Sequence, residues 1–305
     1  MNIGLGNLIE GASAAHVEEC RKFYAAKVAS GGQQAPTSHE ELRKARYKLA
    51  ATYGSGRAIE LIARVGKRKV PVRVTNPSSG ESRATYLDIH GGGFYMDSAA
   101  RNDVRNAHLA DALAMNVVSV EYRLAPENPW PAAPDDCETA ALWLVEKGQK
   151  QFDTEQILIG GASAGATLAM TTLLRLRDRG VVDRIIGAVL AYGAYDLSGQ
   201  SPGGRLYSDE WFIQAYAGHV PDRTVPDLSP LYGKFGGLPP ALMLVGALDV
   251  LLEDNLAMAA RLSAAGNEVD LRVFPESMHG FMSHPTAMAR FALAGVETWL
   301  ASRLA

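Results

Sequence analysis

The spacing of apolar residues changes along the chain. In the first 55 residues, apolar side chains recur every three or four positions among charged ones, which is the periodicity of an amphipathic helix. This pattern predicts helices over 14–29 and 38–53. Ser38 followed by Glu41 is typical of a capping box and marks the start of the second helix.

From residue 57 onward, short runs rich in Val, Ile and Tyr alternate with longer helical patterns. In the second half of this region each strand pattern is followed by a helical one, which predicts a largely parallel sheet with helices on both faces. The first two strand patterns are joined by almost no linker, so we expect an antiparallel edge. The predicted strands are 58–65, 69–75, 84–90, 117–122, 156–161, 186–192, 241–246 and 270–274, and the predicted helices are 101–114, 134–147, 164–178, 253–265 and 286–302.

The connection between the sixth and seventh predicted strands is unusually long, at about 50 residues. It contains a glycine-rich stretch, a short helical pattern at 208–217 and a proline-rich exit. Connections of this length are usually functional. We therefore predict a helical cap over the sheet, formed by residues 1–55 and by an insertion at about 198–235. The remainder of 56–305 would form the main α/β domain.

Composition limits the function classes. Of the 305 residues, 47% are hydrophobic and 21% charged, the formal net charge is −3 and the pI is about 6.2. This balance argues against a nucleic-acid binder that depends on a basic face. Cys20 and Cys137 form no disulfide framework and no metal-binding knuckle, so we predict two reduced, buried thiols.

Two segments bear on location. The longest uncharged run, 157–174, contains glycines and threonines, so it predicts a buried strand, a turn and a helix rather than a membrane span. Residues 1–11 have neither the basic start nor the apolar run of a signal peptide. We therefore expect a soluble, cytoplasmic protein.

The strongest local motif is Gly161-Ala162-Ser163-Ala164-Gly165, which follows an apolar strand pattern and precedes a helical one. This is the context of a nucleophile elbow, a sharp strand-to-helix turn that needs glycine at its flanking positions. The following helix would point its N-terminal N–H groups at the chemistry. An ordinary tight turn is the alternative, because short motifs also arise by chance.

A second motif, His90-Gly91-Gly92-Gly93-Phe94, closes an earlier predicted strand. Three glycines let the backbone approach a ligand closely and turn N–H groups toward it. Such donors stabilise the oxyanion of acyl transfer, and removing one costs about 3–4 kcal/mol. A flexible glycine loop is the alternative, whereas a phosphate cradle is disfavoured because no Gly-Lys-Ser/Thr follows.

A nucleophilic serine needs a base, and the base needs an orienting carboxylate. Of the seven histidines, only His279 lies in a glycine-flanked loop just beyond a late strand. His284 precedes a proline at a helix start, where we expect a surface role. Asp249 directly follows the seventh predicted strand, whereas Asp254 lies at a helix start, where acids complement the helix dipole. We therefore predict that His279 and Asp249 act with Ser163.

The chain order Ser163, Asp249, His279 is the order of the α/β-hydrolase fold. Each of the three residues follows a predicted strand, so all three would project at the carboxyl edge of one sheet. The fold predicted is therefore an α/β-hydrolase fold, with a mostly parallel eight-stranded sheet flanked by helices and a helical cap.

Together these motifs resemble the bacterial branch of the hormone-sensitive-lipase family, the family IV carboxylesterases. The likeness extends from about residue 57 to the C-terminus, whereas the first 50 residues match only in length and helical character. The matching segments, in family order, are His90-Gly91-Gly92-Gly93-Phe94, Tyr122-Arg123-Leu124-Ala125-Pro126-Glu127, Pro131-Ala132-Ala133 with Asp135 or Asp136 close behind, Gly161 to Gly165, Asp249-Val250-Leu251-Leu252-Glu253-Asp254 and His279-Gly280-Phe281.

The resemblance implies a role for each motif. Ser163 would be the nucleophile, His279 the base and Asp249 its partner. His90 would brace the oxyanion loop. The oxyanion hole would consist of three backbone N–H groups, those of Gly92, Gly93 and Ala164. The expected scaffold residues, a charged network behind the site, are Arg123, Glu127 and Asp136. Apart from the resemblance, the expected substrate-binding residues are Phe94, Tyr192, Trp211 and Phe212. For the cap residues Trp211 and Phe212, the alternative is that they only hold the cap in place.

The resemblance also implies a serine carboxylesterase that acts through an acyl-enzyme intermediate. A modest pocket closed by aromatic cap residues would favour short- to medium-chain esters. The enzyme's partner would be a small-molecule ester, with no metal or organic cofactor, no nucleic acid and no membrane span. An amidase, carbamate hydrolase or lactonase could use the same triad. A non-catalytic ligand receptor is disfavoured because all three triad residues are present. The sequence does not determine the natural substrate, the enantioselectivity or the oligomeric state, and the resemblance allows a homodimer formed through the last strand and helix.

Overall fold

The computed structural model describes residues 11–30, 35–53 and 56–304, and its strands and helices alternate from β3 onward. The predicted elements occur within a few residues of their expected bounds, although the fourth helix continues further than expected. Parts of the predicted cap, residues 1–10, 31–34 and 54–55, lie outside the described residues. The strands are β1 (Ile59–Val65), β2 (Arg68–Thr75), β3 (Thr85–Ile89), β4 (Asn116–Val120), β5 (Ile157–Ala162), β6 (Ile185–Ala191), β7 (Ala241–Gly246) and β8 (Val269–Phe274). The helices are α1 (Val17–Ala29), α2 (His39–Ala50), α3 (Asp103–Leu113), α4 (Ala132–Phe152), α5 (Ala164–Asp178), α6 (Trp211–Ala217), α7 (Leu252–Ala264) and α8 (Ala287–Arg303).

The eight strands form one sheet in the order β1-β2-β4-β3-β5-β6-β7-β8. β1 pairs antiparallel with β2, and β2 pairs antiparallel with β4, which confirms the predicted antiparallel edge. All other neighbours are parallel. The parallel strands therefore end at one edge of the sheet, where the loops after β3, β5, β7 and β8 meet.

The central strands are buried on both sides because helices cover both faces of the sheet. Along β3, Leu87 and Ile89 face the cluster that includes side chains of α4, α5 and α7, whereas Tyr86 faces the cluster beneath α3 and α8. This period-two alternation, with apolar residues on both faces, explains why the sequence shows short unbroken apolar runs rather than an amphipathic strand pattern. No helix in the described part of the chain is long and apolar enough to cross a membrane.

The N-terminal helices and the long insertion lie on the same side as the loops that follow the parallel strands. Ser38 caps α2 as expected, since its hydroxyl accepts a hydrogen bond from the Glu41 N–H at 3.3 Å. The His39 ring of α2 contacts the Trp211 ring of α6 with ring centroids 5.7 Å apart. The two parts of the predicted cap therefore touch at this pair of rings.

Candidate active site

Ser163 lies in a strained turn between β5 and α5. Its backbone angles are φ 55° and ψ −124°, and its N–H donates a hydrogen bond to the Ala191 carbonyl at 2.8 Å. The flanking glycines are required by close contacts. A Cβ added at Gly161 would lie 2.4 Å from the Gly165 carbonyl carbon, and one added at Gly165 would lie 2.0 Å from the Ile89 carbonyl oxygen. The turn therefore packs directly against the end of β3 and exposes the serine at the sheet edge.

Ser163, His279 and Asp249 form a continuous chain of hydrogen bonds. The Ser163 Oγ lies 2.9 Å from the His279 Nε2, and the His279 Nδ1 lies 3.0 Å from each carboxylate oxygen of Asp249. An ionised carboxylate only accepts hydrogen bonds, so the Nδ1 carries the proton. The Nε2 lone pair then faces the serine hydroxyl. This is the arrangement in which a histidine can remove the serine proton.

The loops that hold Asp249 and His279 are joined by backbone contacts. β7 and β8 are parallel and in register up to Gly246 and Phe274, so both loops leave the sheet side by side. The Leu248 N–H donates to the Ser277 carbonyl at 3.0 Å. The Asp249 Oδ1 also accepts a hydrogen bond from the Leu251 N–H at 2.9 Å, which fixes the carboxylate. The Asp249 side chain is fully buried, whereas that of His279 is 38% exposed.

The Tyr192 ring supports the imidazole of His279. Its edge packs against the His279 ring with centroids 5.2 Å apart and an interplanar angle of 74°. Tyr192 follows β6 with φ 40°, and its N–H donates to the Leu244 carbonyl at 2.7 Å. Burial raises the pKa of Tyr192 to about 12, so the phenol is neutral at physiological pH. The placement favours a role in orienting His279 over the predicted contact with substrate.

The glycine loop after β3 lies next to the serine. A Cβ added at Gly91 would be 3.6 Å from the Ser163 Cβ. Gly92 and Gly93 have φ values of 108° and 62°, a region that favours glycine. A Cβ at Gly92 would also lie 2.2 Å from the Met96 carbonyl oxygen. The loop is thus a tight turn that only glycine can form without movement of the backbone.

His90 braces this loop from below. Its ring stacks on Tyr122 with centroids 4.1 Å apart, and its Nδ1 lies 2.8 Å from the Gly91 carbonyl oxygen. The Tyr122 hydroxyl donates to the His90 carbonyl at 2.9 Å. Burial lowers the pKa of His90, which keeps the ring neutral. Since the Gly91 oxygen can only accept, the Nδ1 donates and closes the brace.

Ala164 begins α5 immediately after the serine and is 1% exposed. The first N–H groups of a helix have no partner within the helix, so they can donate to a ligand. The structure therefore brings both the start of α5 and the glycine turn next to Ser163. These are the donors that the sequence predicted for an oxyanion.

The other three predicted substrate-binding residues differ in their placement. Phe94 is 1% exposed and stacks on Tyr216 with centroids 4.1 Å apart, which favours a packing role. The Phe212 ring reaches the oxyanion loop, since a Cβ added at Gly93 would lie 3.3 Å from its Cδ2. Trp211 contacts the rings of His39 and Tyr95 and so connects α6 to α2.

The three residues of the predicted charged network form two separate pairs rather than one network. Arg123 and Asp136 are paired, with the Arg123 Nη2 2.8 Å from the Asp136 Oδ1. Glu127 instead forms two hydrogen bonds with Arg46 of α2, at 2.8 and 3.1 Å. Arg46 also donates to the carbonyls of Tyr95 and Ala125. Arg46 was not predictable from the sequence, because a single arginine on an amphipathic helix carries no signal of its distant partner.

Asp254 and His284 make contacts that were not predicted from the sequence. Asp254 lies in the first turn of α7, as expected, but it is 1% exposed and also accepts hydrogen bonds from the Tyr207 hydroxyl at 2.7 Å and from the Tyr195 N–H. Burial raises its pKa to about 6. His284 is partly buried between Tyr24 and Lys27 of α1, so the expected surface role is wrong. Neither contact could be inferred from local sequence, because each joins distant segments.

The remaining side chains do not suggest a metal centre. Within the described residues, no group of three or more His, Cys, Asp and Glu side chains is arranged to hold a metal ion. Cys20 and Cys137 are free and buried, as predicted.

Comparisons with known proteins place these observations in a family. A family model described as alpha/beta hydrolase fold matches residues 86–283. An ethyl acetate hydrolase of Pseudomonas putida is 33% identical over 227 residues, which cover 70% of this chain and 71% of that protein. The carboxylic ester hydrolase LipN of Mycobacterium tuberculosis is 30% identical over 231 residues, covering 70% of this chain but only 61% of LipN.

Solved structures extend the likeness to most of the fold. A hyperthermophilic esterase from the archaeon Pyrobaculum calidifontis has a TM-score of 0.77 at 29% identity, covering 86% of this chain and 92% of its own. A hormone-sensitive lipase from a metagenome library has a TM-score of 0.77 at 25% identity, covering 94% and 98%. The chain therefore belongs to the α/β-hydrolase family, in the hormone-sensitive-lipase branch that its motifs indicated.

Proposed function

We propose that the protein is a serine carboxylesterase that hydrolyses short- to medium-chain esters through an acyl-enzyme intermediate on Ser163. The main support is the hydrogen-bonded chain from Asp249 through His279 to Ser163, next to a glycine loop whose N–H groups can receive an oxyanion. The relatives described above are named for the hydrolysis of ethyl acetate and of carboxylic esters.

In the first half-reaction, the Ser163 Oγ attacks the ester carbonyl while the His279 Nε2 takes the hydroxyl proton. Negative charge develops on the carbonyl oxygen, where the N–H groups of Gly92, Gly93 and Ala164 would donate hydrogen bonds. His279 then returns the proton to the departing alcohol, and the acyl group remains on the serine. Throughout, Asp249 stays ionised and stabilises the imidazolium.

In the second half-reaction, a water molecule takes the place of the alcohol. The His279 Nε2 removes a proton from this water, which attacks the acyl carbonyl and regenerates the oxyanion. Collapse of the oxyanion releases the carboxylic acid and returns the proton from His279 to Ser163. The same three backbone donors stabilise charge in both halves, so one loop conformation serves the whole cycle.

The closing experiment compares wild type with Ser163→Ala on p-nitrophenyl acetate, butyrate, octanoate and palmitate. We expect saturable turnover that is fastest on the shorter esters and falls to the background rate in the variant, whose free energy of unfolding stays near that of wild type. Ser79→Ala, in an exposed turn, is the matched control. Near-normal turnover by Ser163→Ala would refute the nucleophile, and fastest turnover of palmitate would refute the chain-length preference.

The domain boundaries, location and assembly are further parts of the proposal. Contact between His39 and Trp211 supports a cap built from residues 1–55 and about 198–235. Two free, buried thiols fit the reducing cytoplasm. β8 is an edge strand, so a homodimer could extend the sheet across β8 with α8 alongside. Light scattering measures the molecular mass in solution and so distinguishes a monomer from this homodimer.

A further inference from the structure

The loop that holds His279 is bound along its length by α1. At one end, the Arg21 Nη2 lies 3.0 Å from the Glu276 Oε1. At the other, the Glu19 carboxylate accepts from the Ala287 N–H at 3.0 Å. These contacts join residues more than 250 positions apart in sequence. Helix α1 therefore faces the segment that holds the candidate base.

The centre of this interface is His284, which lies between two residues of α1. The Tyr24 hydroxyl is 2.9 Å from the His284 Nδ1, and the Lys27 Nζ is 2.9 Å from the His284 Nε2. A lysine ammonium can only donate, so the Nε2 must accept and the proton must lie on the Nδ1. The Nδ1 then donates to the Tyr24 oxygen. Both hydrogen bonds are satisfied by one neutral tautomer of His284.

This tautomer is stable across the working pH range. Burial, followed by the charges of Lys27 and His279, lowers the pKa of His284 to about 4. The ring is therefore neutral wherever a serine–histidine pair would function. The geometry is that of a fixed clamp rather than of a switch.

Tyr24 connects the clamp to the active site. It is 5% exposed, its hydroxyl bonds to His284 five residues after His279, and burial raises its pKa to about 12. Met278 is the neighbour of His279. Gly280, on the other side of His279, has φ 74° and gives the loop freedom that the clamp would restrict.

We propose that Tyr24, Lys27 and His284 are positioning residues that hold the His279 loop so that the Nε2 stays in hydrogen-bonding distance of the Ser163 Oγ. The proposal rests on the proposed function for its kinetic consequence. None of the three residues would touch substrate. Their effect on the reaction is through the geometry of His279 alone.

The test uses Tyr24→Phe, His284→Ala and Lys27→Met in the full-length protein. Because small misplacement of a catalytic group lowers rate steeply, we expect kcat on p-nitrophenyl butyrate to fall about 10- to 100-fold, with KM nearly unchanged. The rate at which a small alkyl phosphonate modifies Ser163 should fall by a similar factor, since it depends on the same base. His284→Asn, which keeps a donor near the Nδ1 position, should recover part of the loss.

Controls separate positioning from folding. Lys22→Met removes an exposed lysine of α1 that pairs only with Glu18 in the described structure and should leave all rates unchanged. The double variant Tyr24→Phe/His284→Ala should lose no more activity than the less active of the two single variants, because both substitutions remove the same Tyr24–His284 hydrogen bond. Wild-type kcat and phosphonate reactivity in Tyr24→Phe and His284→Ala would overturn the proposal, as would losses that only follow the unfolded fraction.

A measurement without substrate keeps this proposal distinct from the esterase assignment. The His279 Nδ1 proton that bridges to Asp249 should give a low-field proton resonance, assigned by its loss in His279→Ala. We expect this resonance to be sharp in wild type and Lys22→Met and broadened in Tyr24→Phe. An unchanged line in Tyr24→Phe refutes the positioning role even if no ester is hydrolysed, and broadening supports it in that case too.

Discussion

Asp249 and Asp254 are both buried acids near the start of α7, yet they make different contacts. Asp249 accepts from the His279 Nδ1, whereas Asp254 accepts from the Tyr207 hydroxyl and from the backbone of Tyr195 and Asp196. The choice between the two acids therefore follows from which one the parallel β7 and β8 loops bring to the histidine. Asp254 ties α7 to the segment that leads into the insertion.

The first prediction at the residue scale concerns these two acids. Asp249→Asn keeps the side-chain shape but favours the wrong tautomer of His279, so we expect kcat to fall about 10⁴-fold, as for the corresponding change in a serine protease. Asp254→Asn should lower kcat by less than about 10-fold, because the hydrogen bonds that it alters do not involve His279. The measurement is kcat on p-nitrophenyl butyrate at a pH where both variants are folded. Equal losses would contradict the assignment of Asp249.

The histidines show what sequence alone can and cannot distinguish. His279 was separated from six other histidines by its position just beyond β8, because a residue there must project at the sheet edge. The surface role expected for His284 was wrong, because its partners Tyr24 and Lys27 are 260 and 257 positions away in sequence. Long-range side-chain partners have no local signature, so only the folded structure brings them together.

Elements were more predictable than contacts between them. The pattern of apolar residues predicted both α5 and β7 at their observed bounds, because a buried helix shows helical apolar spacing and a buried strand shows a continuous apolar run. The position of α2 above the oxyanion loop was not predictable in the same way. Its anchor is Arg46, whose carbonyl and carboxylate partners lie on the segment after β4 and on the glycine loop.

The glycine loop after β3 supports a prediction at the element scale. Gly92→Ala places a Cβ 2.2 Å from the Met96 carbonyl oxygen in a backbone with φ 108°, so the turn must open. Because this displaces an oxyanion donor, we expect kcat to fall about 100-fold or more with a smaller change in KM.

The control for this variant is Gly236→Ala, whose Cβ would meet nothing within 4 Å and whose φ is not positive. It should retain full activity. Steady-state kinetics and the free energy of unfolding are measured on both variants. A Gly92→Ala enzyme with wild-type kcat would show that the loop does not serve as the oxyanion donor.

At the scale of the whole molecule, the site is assembled from both ends of the chain. α1 holds the loop before α8, and α2 holds the loop after β3, so two N-terminal helices contact the two loops on either side of Ser163. The hydrogen bonds in these contacts are only partly buried, whereas the sheet beneath is apolar and covered on both faces. The sheet therefore sets where the catalytic groups project, and the N-terminal helices restrict how far their loops can move.

The free energy of unfolding should depend on pH in a way that reflects the buried carboxyl of Asp254. Burial raises the pKa of this carboxyl from 3.8 to about 6, so the folded state favours its neutral form. Its contribution to stability is then fully present below about pH 3.8 and is lost as the pH rises through about 6. A shift of about two pKa units corresponds to about 3 kcal/mol in total, of which about 2 kcal/mol falls between about pH 4.5 and 7.5.

Urea unfolding of wild type and Asp254→Asn at these two pH values isolates the effect, with exposed Asp209→Asn as the matched control. We expect wild type to lose about 2 kcal/mol relative to Asp254→Asn over this interval, while Asp209→Asn follows wild type. Parallel pH profiles for wild type and Asp254→Asn would mean that the carboxyl is already ionised at the lower pH, and that its contacts with Tyr207 and Tyr195 outweigh the cost of burial.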